Sequence, residues 1–227
     1  MRGSLYLAGG GSPRQEELVW RAAFDGVRRV LYWPFALSDA RVADAPEWLR
    51  AALADLGIDA RVDAWLSLDG HAPAEIDGVD LLFVGGGTTS KLARHVHDLG
   101  FDQAVRDHVA NGGRYYGGSA GALLACESIA VCALADGDAD AAVHDTGLGL
   151  VPRVTVLPHA DTLAVEDQHA WSTRLGQPFL AVPEAGGVVF TGTTCTVIGP
   201  GAVEIVDGGT RTTWPPGALI PWDWTTP

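Results

Sequence analysis

The sequence predicts an α/β fold, a three-layer α/β/α sandwich in which helices cover both faces of a mostly parallel sheet. Two observations lead to this prediction. Before about residue 120, short apolar runs alternate with segments of helical periodicity, as in chains of βα units with right-handed crossovers. After about residue 150, the apolar runs are close-set and separated by glycine-rich turns, which indicates antiparallel hairpins at a sheet edge.

The predicted elements follow this pattern along the chain. Short runs rich in β-branched, leucine and aromatic residues predict strands over residues 4–8, 29–32, 59–66, 81–84 and 114–117. Apolar residues at helical spacing predict helices over residues 15–24, 46–56, 90–99 and 101–111. In the last third, strands are predicted over residues 154–157, 180–182, 187–191, 195–199 and 202–206. The Pro- and Trp-rich tail over residues 214–227 either packs against the surface or is partly loose.

The composition indicates a single domain over residues 1–227. A chain of 227 residues with 47% hydrophobic residues can bury a sizeable core, and no linker, repeat or low-complexity tract divides it. The net charge of -13 argues against nucleic acid and anionic membrane surfaces as partners, because no patch rich in Lys and Arg is present.

The cysteines and the N-terminus set further expectations. Cys126, Cys132 and Cys195 are an odd number without C-x-x-C spacing, so we expect neither a disulfide framework nor a zinc site. No group of His, Cys and carboxylates has ligand spacing, and we expect neither a metal nor another cofactor. The first apolar run is too short for a signal peptide or a membrane span, so the expected location is the cytoplasm.

The strongest motif is the G-x-S-x-G pentapeptide at residues 117–121. It follows a predicted strand and precedes the helix-like stretch 120–125, which is the context of a nucleophile elbow. Ser119 would lie on the sharp turn between strand and helix. The backbone amide of Ala120, at the start of the helix, would face the serine hydroxyl and could stabilise an oxyanion.

Two glycine clusters follow predicted strands in the same way. Gly85, Gly86 and Gly87 precede Thr88, where a helix cap begins, and their backbone can approach a substrate closely and offer an amide to an oxyanion. A plain βα turn remains the alternative, whereas a dinucleotide or P-loop motif is not satisfied. The cluster at residues 9–11 is expected to be a structural turn.

A nucleophilic serine needs a base, and the base needs an acid. His159 follows the predicted strand 154–157, whereas the other six histidines fall in predicted loops or helices. Three acids are candidates for fixing its tautomer. We rank Glu184 first, because it follows another apolar strand, then Asp161 in an H-x-D arrangement, then Asp136 in an Ala/Asp-rich loop.

These motifs, in this order, resemble peptidase E, the aspartyl dipeptidase family, and the related cyanophycinases. The resemblance is carried by the elbow at 117–122, the turn at 84–89 and the segments at 157–159 and 182–184, and it extends from residue 5 to about residue 200. It implies a flavodoxin-like sandwich related to the glutamine amidotransferase domain. It also implies a Ser-His-Glu triad in the chain order Ser119, His159, Glu184.

The resemblance implies further roles. The oxyanion donors would be the amides of Ala120 and of Gly86 or Gly87, and an arginine downstream of the histidine, for which Arg174 is the candidate, would hold a substrate aspartyl side chain. A surface salt bridge is the alternative for Arg174. Thr88 stands where the family's turn usually has Asn, which alters the substrate pocket and puts aspartyl specificity in question.

The expected activity is that of a serine peptidase, an aspartyl dipeptidase that cleaves Asp-X through an acyl-enzyme. Three alternatives stay open: cleavage of another small peptide or isopeptide, peptide binding without catalysis, and amide transfer, against which a serine nucleophile argues. A small peptide is the expected partner. Exposed strand edges in the last third would suit a homodimer.

Overall fold

Two sheets organise residues 2–221, the part of the chain that the computed structural model describes. The strands are β1 Ser4–Ala8, β2 Arg29–Trp33, β3 Arg61–Ala64, β4 Leu81–Val84, β5 Arg114–Gly118, β6 Thr155–Leu157, β7 Phe179–Ala181, β8 Gly187–Thr191, β9 Thr194–Ile198, β10 Val203–Asp207, β11 Thr210–Trp214 and β12 Leu219–Ile220. The α-helices are α1 Glu17–Phe24, α2 Asp39–Val42, α3 Ala45–Asp55, α4 Thr89–Asp98, α5 Asp102–Ala110, α6 Ala120–Leu124, α7 Val131–Ala135 and α8 Val165–Leu175.

The larger sheet has the strand order β12-β9-β8-β1-β5-β4-β2-β3. Strands β1 to β5 are parallel, and β1 lies beside β5 with Leu7 opposite Gly117. Because parallel strands share one carboxyl edge, the turns after β1, β4 and β5 meet there. The prediction of a mostly parallel sheet within an α/β fold is confirmed.

The hairpin prediction for the last third is correct for one part of it. Strands β8 and β9 form an antiparallel hairpin that extends the larger sheet beside β1, and β10 and β11 form a second antiparallel hairpin. The runs at 154–157, 180–182 and 202–206 join β11, which was not predicted, in a separate sheet in the order β11-β10-β7-β6. Strands β6 and β7 are parallel because α8 connects them. Sequence reasoning predicted neither this second sheet nor the crossover.

The first part of the Pro- and Trp-rich tail contains strand residues, which the sequence did not predict. Trp214 ends β11, and β12 pairs with β9, so residues 219–220 belong to the edge of the larger sheet. Residues 222–227 lie outside the described part.

Side chains alternate between the two faces of the larger sheet and create two apolar layers. Trp20 from α1 and Leu49 from α3 pack with Phe83 and Tyr116 on one face. On the opposite face, Tyr115 belongs to a layer with residues of α4, α5 and α6 and of the second sheet. Among residues 2–221, no helix is long and apolar enough to cross a membrane.

Candidate active site

Ser119 lies in a strained turn between β5 and α6. Its φ of 51° and ψ of -110° are unusual for a residue with a side chain. Close packing makes the neighbouring glycines necessary. A β-carbon at Gly117 would lie 2.4 Å from the carbonyl oxygen of Gly121, and one at Gly121 would lie 2.4 Å from that of Val84. The predicted elbow therefore has the backbone geometry that the motif requires.

A chain of hydrogen bonds joins Ser119, His159 and Glu184. The imidazole Nε2 lies 3.0 Å from the Ser119 hydroxyl, and Nδ1 lies 3.0 Å from Glu184 Oε1. A carboxylate only accepts, so Nδ1 carries the proton and Nε2 of a neutral ring can accept from the hydroxyl. His159 and Glu184 are about one-third exposed, at 35% and 33%, so water and substrate can reach the pair.

The other two candidate acids do not contact the imidazole in the described structure. Asp161 Oδ1 accepts a hydrogen bond of 2.9 Å from the backbone amide of Glu184, so it positions that residue. Asp136 directly follows α7 and lines a cavity that Ser119 and His159 also line. Partial burial of its carboxyl group and the neighbouring Asp138 raise the pKa of Asp136. Of the three acids, the structure brings Glu184 to His159.

The turn at residues 9–11 packs directly against these residues, which sequence reasoning missed. The backbone amide of His159 donates to the carbonyl oxygen of Gly9 at 2.9 Å. A β-carbon at Gly10 would lie 2.5 Å from His159 Cε1 and 2.8 Å from Ser119 Cβ. The run of glycines was the available signal, but only the adjacency of β1 and β5 shows that this turn reaches Ser119.

The buried side chain of Glu16 holds the turn at residues 9–11 through hydrogen bonds to its backbone. It is 2% exposed, and its Oε1 accepts from the amides of Gly10 at 2.7 Å and Gly11 at 2.9 Å. Its Oε2 accepts from Trp20 Nε1 at 3.0 Å and from the Tyr116 hydroxyl. Burial raises the pKa of Glu16, and the four donors oppose that rise. No motif in the sequence marked Glu16.

Two predicted oxyanion donors lie in the turn after β4. A β-carbon at Gly86 would lie 3.2 Å from Ser119 Cβ, so this backbone approaches Ser119 closely. Gly87 has a φ of 141°, which excludes most side chains. Within residues 2–221, neither amide donates a hydrogen bond, so both are available. Ala120 is the first residue of α6, where amides have no acceptor within the helix. The oxyanion role of all three stays a prediction.

Two cavities meet at Ser119 and His159. Cavity 1, of about 520 Å³, is lined by both residues and by Trp20, Tyr32, Arg41, Trp48, Phe83 and Tyr116 among others. Cavity 2, of about 530 Å³, is lined by the same pair and by Thr88, Cys132, Asp136, Asp138, Leu157 and Leu163 among others. Both volumes suit a ligand of dipeptide size. Ser119 thus lies between an aromatic cavity and an acidic one.

The predicted substrate residues have different positions relative to these cavities. Thr88 lines cavity 2. Arg174 is an exposed residue in the last turn of α8 and lines neither cavity, so its predicted role has no geometric support. Arg41, on the short helix α2, lines cavity 1 instead. Sequence reasoning missed Arg41 because residues 39–42 carry no motif.

Replacing Glu16 tests whether it holds the turn. We expect Glu16→Ala to lower the free energy of unfolding by about 3 kcal/mol, because two backbone amides, Trp20 Nε1 and the Tyr116 hydroxyl lose this acceptor. Glu16→Gln should cost less, since its amide oxygen can still accept from Gly10 and Gly11. Glu17→Ala, which removes a surface carboxylate, is the matched control. Urea unfolding measures the free energy of unfolding of all three variants. Equal losses in Glu16→Ala and Glu17→Ala would contradict the role of Glu16 in holding the turn.

Comparisons with known proteins show which family the chain resembles. The family model "Peptidase family S51" matches residues 7–198. Peptidase E of Streptomyces coelicolor is 36% identical over 101 residues, covering 44% of this chain and 40% of that protein. Peptidase E of Salmonella typhi is 26% identical over 192 residues, covering 82% of each. The match thus spans less than half the length of the Streptomyces protein and 82% of the length of the Salmonella protein.

A solved structure has the same fold. The crystal structure of a peptidase from an acI-B1 Actinobacterium superposes with a TM-score of 0.73 at 21% identity and covers 97% of each chain. At that identity the likeness concerns the fold alone. The family match covers most of the chain, and we conclude that the chain belongs to peptidase family S51.

Proposed function

We propose that this peptidase cleaves short peptides with Ser119 as nucleophile, His159 as general base and Glu184 as the acid that orients the imidazole. The observation that carries the proposal is the pair of 3.0 Å contacts of the imidazole, one to the Ser119 hydroxyl and one to Glu184. The strained backbone of Ser119 supports it, since strain is common at nucleophile elbows.

The chemistry is acyl transfer to the serine. Ser119 Oγ attacks the peptide carbonyl, and His159 Nε2 takes the hydroxyl proton and returns it to the leaving amine. The amides of Ala120 and of Gly86 or Gly87 would hold the oxyanion, where one donor is typically worth about 3 to 4 kcal/mol of barrier. Water, activated by the same imidazole, then releases the acyl group.

The cysteines favour serine chemistry over the thiolate chemistry of amidotransferases. Cys126, Cys132 and Cys195 are buried, and burial raises the pKa of each thiol to about 12. Cys132 lines cavity 2, but its thiol would stay protonated near neutral pH. Ser119 is therefore the better nucleophile at the junction of the cavities.

For the first residue of the substrate we propose aspartate, as in Asp-X dipeptides, on the strength of the resemblance to aspartyl dipeptidases. Thr88 is the residue we propose to contact it, because it lines cavity 2 beside Ser119. Asp136 and Asp138 line the same cavity, where their carboxylates can accept hydrogen bonds from the free ammonium of the substrate's first residue. Cytoplasmic location and a homodimer stay predictions.

Ser119→Ala tests the nucleophile. We expect release of amino acids from a panel of Asp-X, Leu-X, Glu-X and β-aspartyl dipeptides to be lost in this variant, because it lacks the hydroxyl that forms the acyl-enzyme. Ser12→Ala, at an exposed serine, is the control and should keep wild-type rates. Unchanged hydrolysis by folded Ser119→Ala would refute the proposal, and a preference for Leu-X or Glu-X would refute the aspartyl part alone.

Glu184→Gln tests the acid. We expect kcat to fall about 10³-fold or more, because the amide no longer stabilises the imidazolium or enforces the Nδ1–H tautomer. Asp161→Asn should have a smaller effect, since its amide oxygen can still accept from the Glu184 backbone. Steady-state kinetics of these two variants and of Asp136→Asn show which of the three carboxyl groups contributes most to kcat. A greater loss in Asp136→Asn than in Glu184→Gln would give the role to Asp136.

A further inference from the structure

The aromatic wall of cavity 1 has no part in the triad chemistry. Trp20, Phe83 and Tyr116 are each 2% exposed and form its floor, while Trp48, which is 48% exposed, stands at the side. Trp20 and Trp48 pack edge to face with ring centroids 6.1 Å apart. An apolar cavity of about 520 Å³ that opens onto the nucleophile gains most from a large apolar side chain.

The hydroxyl of Tyr32 is an unused polar group in this wall. Tyr32 is 2% exposed and lines cavity 1, yet within residues 2–221 its hydroxyl makes no hydrogen bond. It lies next to Gly85, at the start of the turn that approaches Ser119. Buried hydroxyls are normally satisfied, so this one is available to a polar atom of a bound ligand.

Arg41 supplies an unpaired positive charge to the same cavity. No acid among residues 2–221 lies within salt-bridge distance of its guanidinium, although Asp44 also lines the cavity. The Glu16 carboxylate in the wall is already used by four donors. A guanidinium in this position suits a carboxylate, which it can bind through two hydrogen bonds.

Cavity 1 has a cationic side chain, that of Arg41, among its lining residues, whereas the described lining of cavity 2 has none. Asp136 and Asp138 line cavity 2, and no Lys or Arg is found among its described lining residues. A dipeptide with free ends carries an ammonium at one end and a carboxylate at the other. The complementary placement puts the ammonium in cavity 2 and the carboxylate in cavity 1, with the peptide bond at Ser119.

We propose that cavity 1 binds the C-terminal, leaving residue of a dipeptide substrate, and that this residue has a large apolar or aromatic side chain. Its side chain packs against Trp48 and the aromatic floor, and its free carboxylate binds Arg41 and the Tyr32 hydroxyl. This inference rests on the proposed peptidase function and adds the identity of the second residue, which the triad leaves undefined. Arg41 and Trp48 are then specificity-determining residues.

The test compares three substrates: Asp-Phe, Asp-Ala and the C-terminal amide of Asp-Phe. We expect wild-type kcat/KM for Asp-Phe to exceed that for each of the others about 10-fold or more. Trp48→Ala should reduce the preference for Phe over Ala, and Arg41→Gln should remove the preference for the free acid over the amide. Leu18→Ala and Arg21→Gln, at exposed positions on α1, are the matched controls and should change neither ratio.

A binding measurement separates this inference from the proposed function. Calorimetry with Ser119→Ala measures the affinity for the same three compounds without turnover, and tighter binding of Asp-Phe that Arg41→Gln weakens would support the inference even if nothing is cleaved. Equal kcat/KM values for Asp-Phe and Asp-Ala in an active enzyme would overturn the inference and leave the peptidase function intact. If Arg41→Gln instead erases a preference for Asp over Ala at the first position, cavity 1 holds the first residue and the inference is wrong.

Discussion

The backbone of Ser119 is held at a positive φ, and the rest of the site is arranged around it. Such a conformation costs about 1 to 3 kcal/mol for a residue with a side chain, so its surroundings must enforce it. The Ser119 amide donates to Ala8 on the neighbouring strand β1, and its carbonyl accepts from Leu123 in α6. Gly117 and Gly121 let the turn pack against its neighbours without a clash. The serine hydroxyl therefore lies at the edge of a rigid sheet, where the His159 imidazole contacts it.

The second sheet positions the proposed base, His159, and the proposed acid, Glu184, together. Strands β6 and β7 are parallel neighbours with Leu157 opposite Ala181, so the segments that follow them leave the same edge. His159 and Glu184 lie two and three residues beyond these ends, which brings their side chains together across the two segments. The turn at residues 9–11, fixed by Glu16, binds the backbone of His159 from the side of the first sheet. Segments from both sheets thus contact His159, and a change in either sheet is expected to alter the position of the imidazole.

The sequence was most informative where a residue type is required by the backbone. A glycine-flanked serine after a strand, and a glycine turn after another, have few alternatives, and both turns lie at the carboxyl edge as predicted. The second sheet could not be read in the same way, because the apolar runs at 154–157 and 180–182 do not reveal which strands they pair with. Arg41 and Trp48 lacked a signal for a different reason: an exposed arginine on a four-residue helix and an aromatic at helical spacing look like ordinary surface and core positions. Only the tertiary arrangement shows that they face Ser119 across one cavity.

Reaction with a fluorophosphonate, followed by mass spectrometry of the proteolysed adduct, tests whether Ser119 is a nucleophile activated by His159. We expect a single adduct on Ser119 whose formation is slowed strongly in His159→Gln, because the imidazole removes the hydroxyl proton as the serine attacks phosphorus. An adduct on another residue of an enzyme that still hydrolyses peptides would contradict it. So would an adduct on Ser119 that forms at the same rate without His159.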